Sequence, residues 1–198
     1  MTMPTKPADT HRALKFASPL EDDLICYSVS GHEELGRLFE YQLELRSTNT
    51  NIQFKDIVGQ RVTVTFELKK GERHFDGYVT EFSYSATHGR YATYNAVVRP
   101  WLWFLTRTAD CRIFQNQKVP DIIKAVFRDN GMSDFDDRLS EAYRKWTYCV
   151  QYRETDFNFI SRLMEEEGIC YFFEDTEDQH VLVIADGASA FKPITGND

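Results

Sequence analysis

Two stretches of strict period-two alternation constrain this chain more than any other feature. Phe39, Tyr41, Leu43 and Leu45 alternate with Glu40, Gln42, Glu44 and Arg46, and Val62, Val64, Phe66 and Leu68 alternate with Arg61, Thr63, Thr65 and Glu67. Successive strand side chains point to opposite faces, so the pattern specifies antiparallel strands with one buried and one wet face. Lys69-Lys70-Gly71-Glu72 is a turn signal that carries a hairpin into residues 73–85. Gly77 interrupts that second strand, where a bulge or sharp bend is expected. His88-Gly89-Arg90 reads as the next turn, followed by a strand over residues 91–99 that Pro100 ends. Trp101-Leu102-Trp103-Phe104-Leu105 then forms a dense apolar plug, expected to anchor a core or an interface. Strands at this spacing predict a small β-barrel or β-roll.

After the plug the period changes. Val119, Ile122, Ile123, Val126 and Phe127 fall at helical spacing, with Pro120 near the start and Asn130-Gly131 as the stop. Residues 146–152 read as a strand with Trp146, Tyr148, Val150 and Tyr152 on one face. Thr155 is placed to cap a second helix carrying Phe159, Ile160, Leu163 and Met164 inward, closed by Gly168 in the left-handed conformation. Residues 169–174 and 180–185 form an expected hairpin across the acidic turn 175–179. The fold class is therefore mixed: a β-rich barrel or β-roll domain followed by an α+β domain. The expected divisions are a loose arm over residues 1–19, a β-barrel or β-roll domain over 20–110 and an α+β domain over 111–198.

Composition narrows the function classes. The chain has 31 acidic against 23 basic residues, a formal charge of −8, and no basic run. Phosphate neutralisation supplies most nucleic-acid affinity, so nucleic acid and anionic membrane surfaces are not expected partners. Residues 1–12 lack an apolar stretch of the signal-peptide kind, and no apolar run approaches a membrane span. Cys26, Cys111, Cys149 and Cys170 are widely spaced without a CxxC pair, which suggests neither zinc nor a redox motif. Cys26, Cys149 and Cys170 have the neighbours of small buried hydrophobes.

Several residues invite a catalytic reading, and each has a plainer one. Glu165-Glu166-Glu167 is an acidic run, but a glycosidase needs two carboxylates facing one another across a bond, and consecutive helix positions diverge. A solvated helix face or an intersubunit contact is expected instead. Asp134-Phe135-Asp136-Asp137 resembles the opening of a calcium loop, yet Leu139 and Lys145 stand where that loop needs Gly and Glu. Glu154 and Asp156 flank the capping Thr155, where Asp156 suits the positive end of a helix. Arg153 is a candidate for pairing with a carboxylate across an interface. His11, His32, His74, His88 and His180 are scattered and are expected on surfaces or turns. No catalytic, cofactor-binding or metal-ligating residue is assigned, and no cofactor is expected.

RPWLWFLTRTADCRIFQNQKVPDII (residues 99–123), QYRETDFNFISRLMEEEGICYFFE (residues 151–174) and the block DIVGQRVTVTF to FDGYVTEF between residues 56 and 82 together carry a family likeness. They resemble the VgrG family of bacterial type VI secretion, which is similar to the hub of contractile-tailed phage baseplates. The resemblance implies a structural protein rather than an enzyme. It implies a homotrimer that caps a tube of Hcp rings, contacts baseplate components and effectors, and is secreted without a signal peptide after assembly in the cytoplasm. It makes the first domain tube-like and implies membrane contact only by mechanical puncture. Members of the family continue through a second tube-like domain and a β-helical spike. A phage tail hub shares the implied fold, and a cell-wall hydrolase using Glu165, Glu166 or Asp156 is the remaining alternative.

Overall fold

Tyr41, Leu43 and Leu45 are 3%, 2% and 0% exposed, so the first alternating run is a strand with one buried face. Burial of each such Leu is worth about 1.5–3 kcal/mol. A computed structural model describes residues 14–191 of the chain, and these divide into two compact units.

The first unit comprises residues 14–32, 40–99 and 175–179. Its strands are β1 (Leu14–Ala17), β2 (Ile25–His32), β3 (Glu40–Ser47), β4 (Arg61–Glu67), β5 (Glu72–His88) and β6 (Tyr91–Arg99). They form one antiparallel sheet in the order β1-β4-β5-β6-β3-β2. The edge strands β1 and β2 approach one another, so the sheet curls as a half-barrel around its buried face. Phe82 stacks on Tyr94 at 5.1 Å within it.

Four expectations for this unit need correction. Leu14–Ala17 is a paired strand rather than loose arm: Leu14 and Phe16 face inward and pair with Phe66 and Val64. The rest of the expected arm up to residue 13 lies outside the described residues. On β4 the second face is not wet, because Thr63 and Thr65 are 4% and 8% exposed. Their hydroxyls find partners in the buried Asp76 and in His74, which removes the cost of burying them. Leu68 falls in the turn closed by Leu68 N to Gly71 O and is 48% exposed. Gly77 pairs in register with Val62; the irregularities of β5 lie between Val79 and Glu81 and between Tyr84 and Ala86.

The second unit comprises residues 33–39, 100–174 and 180–191. Its long central run begins at Pro100, ahead of the expected division at 110/111. Trp101–Thr106 is a 3-10 helix that buries Trp101, Leu102 and Leu105. Then come β7 (Ala109–Lys118), α1 (Val119–Asp129), β8 (Phe135–Arg138), β9 (Lys145–Thr155), α2 (Asp156–Glu167), β10 (Cys170–Asp175) and β11 (His180–Ala185). Strands β10, β11 and β8 make a three-stranded sheet with β8 parallel to β11, and β7 pairs antiparallel with β9 as a two-stranded ribbon. Val119, Ile122, Ile123, Val126 and Phe127 are all 0% exposed, matching the helical period. Thr155 Oγ1 accepts from Asn158 N at 3.1 Å at the start of α2. Gly168 ends α2 with φ 71°, and Ile169 N donates back to Met164 O, as a left-handed cap requires. Among the described residues no helix is long and apolar enough to cross a membrane.

Candidate functional site

The carboxylates that invited a catalytic reading are placed by structure. Asp156 is 4% exposed and accepts four hydrogen bonds. Arg112 Nη2 and Gln151 Nε2 donate to Oδ1 at 2.5 and 2.8 Å. Thr108 Oγ1 and Asn130 Nδ2 donate to Oδ2 at 2.8 and 3.1 Å. Burial by itself pushes this carboxyl up, but the donated hydrogen bonds and the Arg112 charge outweigh it and hold the group below its ordinary range. A carboxylate so committed has no free lone pair for a substrate proton, and its work is to tie β7, β9 and α1 to the start of α2. Arg162 Nη2 and Nε reach the Glu154 carboxylate, and Arg162 Nη2 also reaches Val150 O.

The acidic run at the end of α2 separates. Glu167 accepts from Trp146 Nε1 at 2.7 Å, while Glu165 and Glu166 are exposed. Asp136 and Asp137 are ion-paired with Arg138 and Lys124 at 2.8 Å each, and Asp134 O accepts from Leu182 N. Phe135, Asp136 and Asp137 therefore belong to strand β8, with Asp134 just ahead of it. Among the described residues no group of three or more His, Cys, Asp and Glu side chains could hold a metal ion.

His180 departs from the expectation for histidines. It is 2% exposed, and its Nε2 accepts from the backbone N–H of Trp101 at 3.0 Å. It also makes edge contacts with Phe39 and Phe173 at 5.7 and 5.8 Å. His32 and His88 are exposed, His74 is half-buried, and His11 lies outside the described residues.

What remains is a surface that alternation alone did not disclose. Trp146, Tyr148, Val150 and Tyr152 do share one face of β9, but that face points outward. The inward positions are Cys149 and Gln151, at 3% and 0% exposure. Opposite the four outward residues stand Gln117, Gln115, Ile113 and Cys111 of β7. Ile113, Tyr148 and Tyr152 are 59%, 55% and 65% exposed. The ribbon's other side is covered: Phe114 stacks on Phe159 of α2 at 5.6 Å. The outward face thus exposes Ile113, Tyr148 and Tyr152 beside Gln115 and Gln117, with Trp146 and Val150 half-buried.

Comparison with known proteins fits an assembly role. Residues 32–198 match the family model of the phage tail baseplate hub (GPD). The chain is 51% identical over 185 residues to the type VI secretion system spike protein VgrG1b of Pseudomonas aeruginosa, covering 92% of this chain and 25% of that protein. It thus spans about a quarter of the length of that curated relative. Among solved structures, the E. coli c3393 protein superposes with a TM-score of 0.80 at 27% identity, over 92% of this chain and 51% of that one. That protein is described as a type VI secretion component with structural similarity to the T4 bacteriophage tail proteins gp27 and gp5. A tail protein of Neisseria meningitidis shares the fold at TM-score 0.60 and 11% identity, over 92% of this chain and 53% of that one. A sheet that curls as a half-barrel, an α+β unit and a match over residues 32–198 make this chain a member of the phage tail baseplate hub family.

Proposed function

We propose that the chain is the N-terminal part of a VgrG-type spike and hub, which as a homotrimer caps the Hcp tube of a type VI secretion system. The observation that carries this reading is 51% identity, over 92% of the chain, to a protein named as a type VI secretion spike. In this reading the half-barrel unit is the tube-like element. The work is mechanical: the hub is assembled in the cytoplasm with baseplate components and effectors, then driven outward through a target membrane. It needs no catalytic group, and the hydrolase alternative draws no support from a carboxylate committed to four donors. The test is export of Hcp into the medium by the source bacterium with and without the intact gene. Hcp that stays inside the deleted strain and reappears in the medium on complementation supports the reading. Unchanged export in a strain without a second copy overturns it.

A hub of a contractile phage tail or phage-like particle is the second reading, favoured by the description of the matching family. Particles in the medium that lose their tails on deletion would decide for it.

A further inference from the structure

Strands β8 and β11 run parallel and end together, with Arg138 opposite Ala185. Residues 139–144, which join β8 to β9, belong to no helix or strand. Ser140 and Glu141 give their N–H groups to a side chain instead of a ladder, and that side chain is Asp186, the first residue after β11. Its Oδ1 accepts from Ser140 N and Ser140 Oγ at 3.0 and 2.9 Å. Its Oδ2 accepts from Ser140 N, Glu141 N and Tyr143 Oη at 2.9, 2.8 and 2.7 Å. Burial by itself raises this carboxyl, but the donors from Glu141, Tyr143 and Ser140 outweigh it and hold the group far below its ordinary range.

The segment that Asp186 begins is also held at its far end. Arg138 of β8 reaches Glu174 of β10, although β11 lies between the two strands. Its Nη1 and Nη2 donate to Glu174 Oε1 and Oε2 at 3.0 and 2.8 Å. Such two-point pairing fixes the plane of the guanidinium, and Nη1 also donates to Ala190 O at 3.2 Å. One residue on, Phe191 stacks on Phe172 of β10 at 5.2 Å and 28°. Phe172 and Glu174 are two apart on a strand and so share a face. Residues 186–191 therefore grip the chain leaving β8 at one end and β10 at the other.

We propose that residues 186–191 are a strap whose two ends, at Asp186 and Phe191, open and close as one unit with residues 139–144. Proteins open locally in cooperative segments at free energies below that of global unfolding. The strap fixes the path of the chain beyond β11 through side-chain contacts, and its opening frees that path and the β8–β9 connection together while the rest of the unit stays folded. The inference goes beyond the hub reading and does not depend on it.

The experiment is native-state amide hydrogen exchange, resolved by residue, on the purified chain and variants. The Ser140 and Glu141 amides should be protected in the wild type. Asp186→Ala should speed their exchange by about tenfold or more, while the amides of α1 keep their wild-type rates and so report an intact fold. Phe191→Ser, at the other end of the strap, should speed the same two amides. Tyr143→Phe removes one donor only; it should shift them the same way by less, and it serves in place of Asp186→Ala if that variant does not fold. Unprotected amides in the wild type overturn the proposal, as do unchanged rates at Ser140 and Glu141 when their acceptor is altered. Wild-type rates there in Phe191→Ser also overturn it, because the two ends are then independent contacts.

Discussion

Arg112 and Asp156 are joined by one short hydrogen bond, Nη2 to Oδ1 at 2.5 Å, with side chains only 18% and 5% exposed. The pair links the middle of β7 to the first residue of α2, and Gln151 closes it by accepting from Arg112 Nε at 2.9 Å while donating to Asp156. Without the carboxylate Arg112 keeps Asp129 and Asp110 at 3.2 and 3.6 Å, but the Gln151, Thr108 and Asn130 donors lose their acceptor. Asp156→Ala should therefore destabilise the chain by about 1–3 kcal/mol, measured by urea unfolding. An effect below about 1 kcal/mol would mean that water replaces the carboxylate freely.

The same group sets a pH dependence. Its folded pKa lies below the ordinary value of 3.8, so it stabilises above its unfolded pKa and that stability is lost as pH falls through the folded one. Below pH about 4 the wild type should lose stability more steeply than Asp156→Asn, which has no proton to take up there. Equal slopes for the two would remove Asp156 from the account.

Gly168 tests the end of α2. Its φ is 71° and a Cβ built there meets nothing within 4 Å, so a side chain brings backbone strain without a clash. Gly168→Ala should cost about 1 kcal/mol. Gly168→Asn should cost less, because Asn tolerates the left-handed region better. Thermal unfolding of both variants checks the order, and an unchanged Tm for Gly168→Ala would refute the cap.

The elements that were legible in the sequence are those whose buried face is apolar and local. Tyr41, Leu43 and Leu45 announce β3, and Ile122, Ile123, Val126 and Phe127 announce α1. Thr155 and Gly168 mark the ends of α2 because caps are chemistry of single residues. Elements specified by distant partners were not legible. Strand β8 carries Asp136, Asp137 and Arg138 and is held by a parallel pairing with Ile184 and its neighbours, far along the chain. The orientation of β9 follows from Gln151, a polar residue buried because Asp156 and Arg112 need its amide, and hydrophobic periodicity cannot register that. Thr63 and Thr65 on β4 illustrate the same point, buried through Asp76 and His74. The outward aspect of β9 was hidden for this reason: an aromatic strand face looks alike whether it points in or out.

His180 offers a substitution that separates shape from hydrogen bonding. Its ring lies among Phe39, Phe173 and Trp101, and Nε2 takes the Trp101 N–H. His180→Phe keeps an aromatic ring of similar size but removes the acceptor, leaving a buried N–H without that partner. The cost should be about 1–3 kcal/mol, read from urea unfolding. No loss would show that packing alone holds this residue.

The four cysteines should differ sharply in reactivity. All are free thiols; Cys111 is exposed, Cys170 half-buried, and Cys26 and Cys149 buried. Burial pushes the Cys26 thiol up to about 12 and also raises that of Cys149, so neither carries appreciable thiolate at neutral pH. The thiolate is the species that attacks a disulfide reagent. Under native conditions at low protein concentration, one thiol should react about tenfold or more faster than the rest. Cys111→Ser should abolish that fast phase. A fast phase that survives the substitution would mean that β7 does not present residue 111 outward, and the ribbon face built on the same register would fall with it.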